Sequence, residues 1–498
     1  MKGVALRFGV FAALKRGRWP DRAVMGIALV GFLLALLTLG LKRPFLFTLA
    51  YIYVDTVSPQ RLSYYLLNSI PLSMIVAVLA LAGWAIADRK DGFKVTARQG
   101  LMLLLLAYAL GTTFYADVPD AAWEKWDWVW KSLAFAIFLP FTLRTKLRIE
   151  AALLFLVLSA GAIVIVGGLK TVASGGGYGV LNLMVDNNSG LYESSTISTL
   201  AIGLIPVILW FTRHGTIFPA TAGAPAAPAA NGFAAPRAAF SVPLMVKLFC
   251  YALVFACLLM PIGTEARTGL VCIGVLALLV LRDMKMRNRL FFMAAAGALA
   301  IAAIPFLPSS FTQRMETIQG FQADQSANTR LAVWGWTWNY VQNHPLGGGF
   351  GAYRQNRIQV RTVDERSAGD VQVVSAQTEA DEGRAYHSSY FEMLGEQGFP
   401  GLILYLLIHG IGLVRMEILR RRYRRAEGDE AWISPLATAL QHFQLIYLVG
   451  GVFVGIAYVP FAWLMFAVAI GLDVHCARKR AAESKDAARA AFHRTASA

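Results

Sequence analysis

Apolar stretches of roughly membrane length recur along the whole chain, and no other feature limits the fold as strongly. They lie near 23–41, 70–87, 101–116, 129–143, 151–169, 195–211, 243–262, 269–281, 291–307, 399–414, 437–457 and 460–473. Crossing a bilayer takes about 20 apolar residues in a helix, because lipid offers no partner to an open backbone N–H or C=O. Composition agrees. Of 498 residues 57% are hydrophobic and 15% charged, against about 25% charged in soluble domains. That is too little polar surface to coat a water-soluble body of this size. An ordinary cytosolic enzyme, a disordered chain and a secreted disulfide scaffold are thereby excluded. The expected fold is an all-α polytopic membrane protein with about twelve transmembrane helices. The segment 45–54 is also apolar but is cut from the first span by Lys42-Arg43-Pro44. It reads as a half-helix or one arm of a hairpin.

The loops set an orientation. With the N-terminus in the cytoplasm, the inside segments 1–22, 88–100, 144–150, 212–242, 282–290, 415–436 and 473–498 hold 31 Lys and Arg. The short outside segments 42–69, 117–128, 170–194 and 264–268 hold 6. Lys and Arg accumulate in cytoplasmic loops, so both termini are expected inside. The net charge of +16 is then cytoplasmic anchoring rather than a nucleic-acid surface. No cleavable leader is expected, since no small-residue cleavage site follows a short apolar core. The organisation reads as an N-terminal transmembrane region at 1–150 and a central bundle at 151–307. Residues 212–242 form a linker, low-complexity Ala/Pro at 218–236, within that bundle. A large outer loop follows at 308–398, then C-terminal transmembrane helices at 399–473 and a basic tail at 474–498. Trp123, Trp126, Trp128 and Trp130 suit an aromatic belt at the outer boundary. Cys250, Cys257, Cys272 and Cys476 read as free thiols rather than a disulfide framework.

Chemistry is expected on the outer face, since a loop of this length usually carries function or folds as a small domain. The 308–398 loop contains seven arginines (314, 330, 354, 357, 361, 366, 384), ten acids and no lysine. A guanidinium fork suits phosphate oxygens, although each arginine has a carboxylate available for an ordinary salt bridge. In RLAVWGWTWNYVQNH (330–344), Arg330, Trp334 and Trp338 fall on one helical face by four-residue steps. This is either an interfacial helix or an arginine held against aromatics and turned to a lipid phosphate. In His344-Pro345-Leu346-Gly347-Gly348-Gly349-Phe350-Gly351 the glycines read as a structural turn, with an anion nest as the sharper alternative. No Walker lysine follows them.

In Ala385 to Pro400, Ser389 and Glu392 have capping-box spacing, and Gly398 with Pro400 reads as a helix stop. A short helix is thus expected to begin beside His387. The positive end of its dipole disfavours an imidazolium, which leaves His387 neutral and able to accept a proton. The plainer alternative is a histidine that only hydrogen-bonds at a loop end. Gly263-Thr264-Glu265-Ala266-Arg267-Thr268-Gly269 joins two spans and holds Arg267 close to the bilayer, with Glu265 as a possible ion partner. Asp186-Asn187-Asn188 reads as a cap or turn. Neither a metal-ligand pattern nor a serine nucleophile elbow is present.

RLAVWGWTWNYVQNHPLGGGFGAY followed by AYHSSYFEMLGEQGFPGLILYLL resembles the signature region of the O-antigen ligase and polymerase superfamily, bacterial inner-membrane proteins of about twelve helices with a large periplasmic loop. TEARTG matches the place where that family has an arginine between two spans. RPFLFTLAYIYVDTVSPQRLSYYLLNSIPLSMIVAVLALAGW resembles the N-terminal region of the O-glycosylation ligases associated with exosortase systems. The resemblance implies a C-type glycosyltransferase fold that needs no metal, cofactor or nucleotide sugar. It implies a donor glycan on undecaprenyl diphosphate, a lipid or protein acceptor, and 308–398 as the periplasmic loop. By motif match, Arg267 and Arg330 would hold the diphosphate, and His387 would activate the acceptor hydroxyl. Asn187, Arg384, Trp334 and Glu392 are further candidates for substrate contact. Three departures stand out: Ala266 where the family has Ser, Thr268 where it has Gly, and Ser388 where it has Asn. The leading expectation is a glycan ligase. A polymerase that joins lipid-linked repeat units is the near alternative. A polyisoprenoid-glycan transporter is the distant one, since the sequence shows neither an internal repeat nor an ionisable group deep within a span.

Overall fold

The computed structural model describes residues 21–59, 70–90, 94–174, 190–216, 242–303, 325–368 and 371–496. Asn187, Arg314 and the Ala/Pro stretch lie outside them. Each expected span is built on a helix. In chain order these are α1 (Asp21–Lys42), α2 (Phe45–Val57), α3 (Leu72–Ala87), α4 (Ala97–Phe114), α5 (Pro119–Thr142), α6 (Lys146–Ser174), α7 (Ser194–His214), α8 (Val242–Gly263), α9 (Arg267–Asp283) and α10 (Met286–Ala303). After α11 (Gln325–Asn343) and strands β1 (Arg357–Ala368) and β2 (Val371–Glu382) come α12 (Ser389–Arg422), α13 (Ile433–Gly450) and α14 (Pro460–Ala496). Among the described residues, five helices are long and apolar enough to cross a membrane: Lys146–Ala173, Ser194–His214, Pro243–Gly263, Ser389–Arg422 and Pro460–Asp486.

The apolar segment 45–54 belongs to α2, which at 13 residues is too short to cross a bilayer. It is buried through its middle, with Ala50, Ile52 and Val54 wholly inaccessible. The Tyr51 ring lies flat on Phe135 of α5 at 3.5 Å between centroids. It is a buried half-helix.

The structure is mostly helical, consistent with the expected all-α membrane protein, with one two-stranded addition between α11 and α12: β1 and β2 pair antiparallel, with Arg357 opposite Glu382 and Ala368 opposite Val371. Ile358, Val360 and Thr362 alternate with polar residues, a period-two pattern that favours a strand. Gly398, with φ 62° and ψ −165°, breaks the short helix that begins at Ser389, as expected, and a second helical stretch follows directly to Arg422. The expected span 437–457 is helical only to Gly450, and 451–459 is a run of turns. A Cβ on Gly450 would collide with Thr199 of α7, so α13 and α7 pack closely at that end. The basic tail continues α14 as far as Ala496.

Charged groups also sit where none was expected. Asp473 of α14 is buried between Arg98 of α4 at 3.4 Å and Arg415 of α12 at 2.7 Å. Lys125 of α5 reaches Glu392 and Glu396 of α12, each at 2.7 Å. Each of these charges is answered by an opposite one, as low-dielectric packing favours.

Candidate functional site

The turn run after α13 carries the loop that presents His387. Ser389 N–H donates to Gly451 O at 2.7 Å, and the Ser388 hydroxyl donates to the same carbonyl at 3.4 Å. The Ser389 hydroxyl donates to Val454 O and accepts from Ile456 N–H, both at 3.0 Å. Ser389 is therefore no helix cap. Ser388 occupies the N-cap position without a side-chain cap bond, and the expected capping box is absent because tertiary contacts claim both of its members. On the other side, Trp334 of α11 donates its indole N–H to Tyr386 O at 2.8 Å and lies flat on Phe391 at 5.0 Å. Between these clamps His387 takes φ 47°. This left-handed conformation is uncommon for a residue with a side chain and recurs at functional positions. Among the described residues only Ser58, Glu265 and His387 are non-glycines with positive φ. Glu265 precedes Arg267 by two positions.

The His387 side chain is exposed at the mouth of this clamp. Its pKa nonetheless lies below the ordinary 6.5. Crowding by protein is the main cause, and the nearby Arg330 guanidinium adds to it. Glu193 opposes the shift, and Arg384 contributes a smaller push in the same direction as Arg330. Crowding by protein and the Arg330 guanidinium thus favour the neutral imidazole at pH 7. Arg330 is half-buried on α11, one turn before Trp334.

Arg267 is the first residue of α9 and half-buried. The Ser198 and Thr264 hydroxyls, 2.8 Å apart, tie its loop to the first turns of α7. Glu193 caps that same helix end through Ser195 and Thr196 N–H. Thr199 packs on Gly450, next to the Gly451 carbonyl that holds Ser388 and Ser389. One end of the bundle therefore gathers the starts of α7, α9 and α12 around the end of α13. Arg267, Glu193 and His387 all stand at that end.

The other candidates have distinct surroundings. Arg384 is exposed and pairs with Asp381, while buried Asn356 bonds its backbone N–H at 2.9 Å and its carbonyl at 2.6 Å. Glu392 faces the bundle interior, with its carboxylate on Lys125 and on Ala457 N–H at 3.2 Å. Sequence reasoning missed Lys125, Glu193 and Glu396. Nothing local marks them, because Lys125 meets Glu392 and Glu396 267 and 271 positions away and Glu193 acts on His387 194 positions away. The glycine run is a structural turn: Gly348 and Gly349 N–H donate to Gly395 and Glu396 carbonyls at 3.0 and 2.9 Å. Gly351 N–H donates to the Glu396 carboxylate at 3.0 Å, so the backbone amide serves an anion inside the protein. Among the described residues no cluster of three or more His, Cys, Asp or Glu is arranged to hold a metal ion.

Residues 252–406, which include Arg267, Arg330 and His387, match the family described as O-antigen ligase. This match supports the O-antigen ligase and polymerase superfamily for that region. Residues 24–216 match a family of unknown function, DUF5935. No curated protein matches the chain. The site draws on both matched regions. The ligase-family region supplies the histidine and both arginines, and the N-terminal region supplies Glu193 and Lys125. The matched family suggests glycosyltransferase-type activity in a membrane protein.

Proposed function

We propose that the protein is a glycan ligase. It would transfer a preassembled glycan from undecaprenyl diphosphate to a lipid or protein acceptor at the periplasmic face of a bacterial inner membrane. The observation that carries this reading is a neutral His387 beside Arg330, inside the region matched to the O-antigen ligase family. The loop-charge asymmetry supports twelve spans with 308–398 outside and both termini inside.

His387 takes the proton from the acceptor hydroxyl as its oxygen bonds to the anomeric carbon. The bond from that carbon to the diphosphate oxygen breaks, and its electron pair leaves with the diphosphate. Arg330 and Arg267 hold the departing anion, and fixed guanidinium groups stabilise its added charge more strongly at a partly dry site than water does. Attack from the side opposite the leaving group inverts the anomeric centre. Trp334 and Arg384 position the His387 loop, and Asn187 contacts the donor. The test is a reconstituted assay with purified lipid-linked donor. Glycan on an added acceptor supports a ligase. Chain growth with donor alone supports a polymerase instead, and movement of labelled lipid across the bilayer without glycosidic transfer supports a transporter. Replacing Arg267 by Lys keeps the charge and loses the fork. A large loss of transfer is expected, and near-full turnover would overturn bidentate phosphate holding.

A further inference from the structure

A recess at the foot of the β1–β2 hairpin takes no part in the transfer steps above. Its volume is about 400 Å³, and Arg354, Gln355, Asn356, Arg357 and Glu382 line it. Small-molecule sites run from about 300 to 1,000 Å³, so the space can seat a sugar ring. Every lining side chain is polar. Arg357 and Glu382 stand opposite each other in the strand register and pair at 3.2 Å. Their side chains are 83% and 66% exposed, so the pair leaves much of the guanidinium and carboxylate edges to a ligand. Gln355 donates its amide N–H to Asp117 O at 3.2 Å, which fixes one side of that amide. The recess is mounted on the loop that presents His387. Asn356 is wholly buried and holds Arg384 by its backbone N–H at 2.9 Å and its carbonyl at 2.6 Å. Gly383 N–H donates to Asn356 O at 3.0 Å. The Tyr353 ring meets Tyr386 edge-on at 5.6 Å, and Ile358 shares a small buried core with Val333 and Tyr386. Arg384 precedes His387 by three positions, at most about 11 Å of chain.

We propose that this recess binds a sugar ring of the glycan substrate, a few sugar units from the reacting group at His387. The proposal rests on the glycan-transfer reading given above and adds a subsite to it. A guanidinium beside a carboxylate sets hydrogen-bond donors next to acceptors. Neighbouring hydroxyls of a pyranose each donate and accept, so one such pair engages two of them. An acyl chain would leave the polar wall without partners, and the Glu382 carboxylate repels a phosphate. Donor and acceptor can both present sugars, and kinetics tell the two sources apart.

The test uses the full-length protein in phospholipid nanodiscs, free of sugar-based detergent. Saturation-transfer NMR reads the binding of methyl glycosides of glucose, galactose, mannose, rhamnose and N-acetylglucosamine, with 1,2-propanediol as control. At least one glycoside should bind saturably, and propanediol should not. The double variant Arg357→Glu, Glu382→Arg keeps the ion pair but exchanges its donor and acceptor sides. Glycoside affinity should fall about tenfold in it, with the unfolding midpoint unchanged. If that variant does not fold, Arg354→Ala at an exposed position should weaken binding about fivefold. In the transfer assay the double variant should raise KM and leave kcat nearly unchanged. A raised KM for the acceptor assigns the recess to the acceptor sugar, and a raised KM for the donor assigns it to the donor glycan. Glycoside binding by a wild-type protein that transfers no glycan would overturn the ligase reading and leave the recess a sugar site. Absence of saturable binding by every glycoside, equal affinity in the double variant, or an unchanged KM for both substrates with transfer intact would each overturn the proposal.

Discussion

His387 carries the sharpest residue-level consequences. Asparagine adopts left-handed φ more readily than most residues, so His387→Asn keeps the loop and removes the base. Transfer is expected to fall about 10²–10⁴-fold, with elution volume and helical signal unchanged. Wild-type rates would remove the imidazole from the mechanism. The pH dependence follows from the sign of the shift. Since the pKa is lowered below 6.5, the neutral, proton-accepting form dominates at pH 7, and transfer should fall only as pH drops through that lowered value. Arg330 is one cause of the lowering. In Arg330→Gln the acid limb of kcat against pH should therefore move toward higher pH, in addition to a loss of turnover. An unmoved limb would separate the two residues.

At the level of elements, the kink in α12 is the feature on which the site depends. Gly398 and Gly347 meet backbone to backbone, and a Cβ on Gly398 would run into Pro345 O and Leu346 C. Positive φ at Gly398 adds strain for any other residue. Gly398→Ala is expected to cost about 2–4 kcal/mol, seen as a lower unfolding midpoint and lost transfer. Trp334 offers a milder probe. Trp334→Phe keeps a ring on Phe391 but loses the bond to Tyr386 O. Turnover should fall more than stability, because the loop that aims His387 loses one clamp while the packing remains. A fall in stability with turnover intact would assign Trp334 to packing alone.

For the molecule as a whole, Lys125 is the link between its two matched regions. Its ammonium joins α5 to two carboxylates of α12, with Glu396 wholly buried. Removing it leaves two uncompensated carboxylates side by side. Lys125→Met should destabilise the protein by about 3–5 kcal/mol, and Lys125→Arg should recover much of the loss. Guanidine or thermal unfolding in detergent reads both.

The sequence by itself determined the membrane class, a helix at every expected span and the short helix that starts beside His387. These follow from apolar runs of bilayer length and from local breakers such as Gly398, all readable within a few turns of chain. Arg330, Trp334 and His387 were legible for the same reason, through helical spacing and motif. Tertiary structure alone decided that α2 is buried, that Ser389 serves Val454 and Ile456 instead of capping, and that Glu193 stands by His387. It also decided that Lys125 meets Glu392 and Glu396. Such choices depend on which groups burial brings together from distant segments, and the low dielectric there makes an unanswered charge or hydrogen bond too costly to leave unmade.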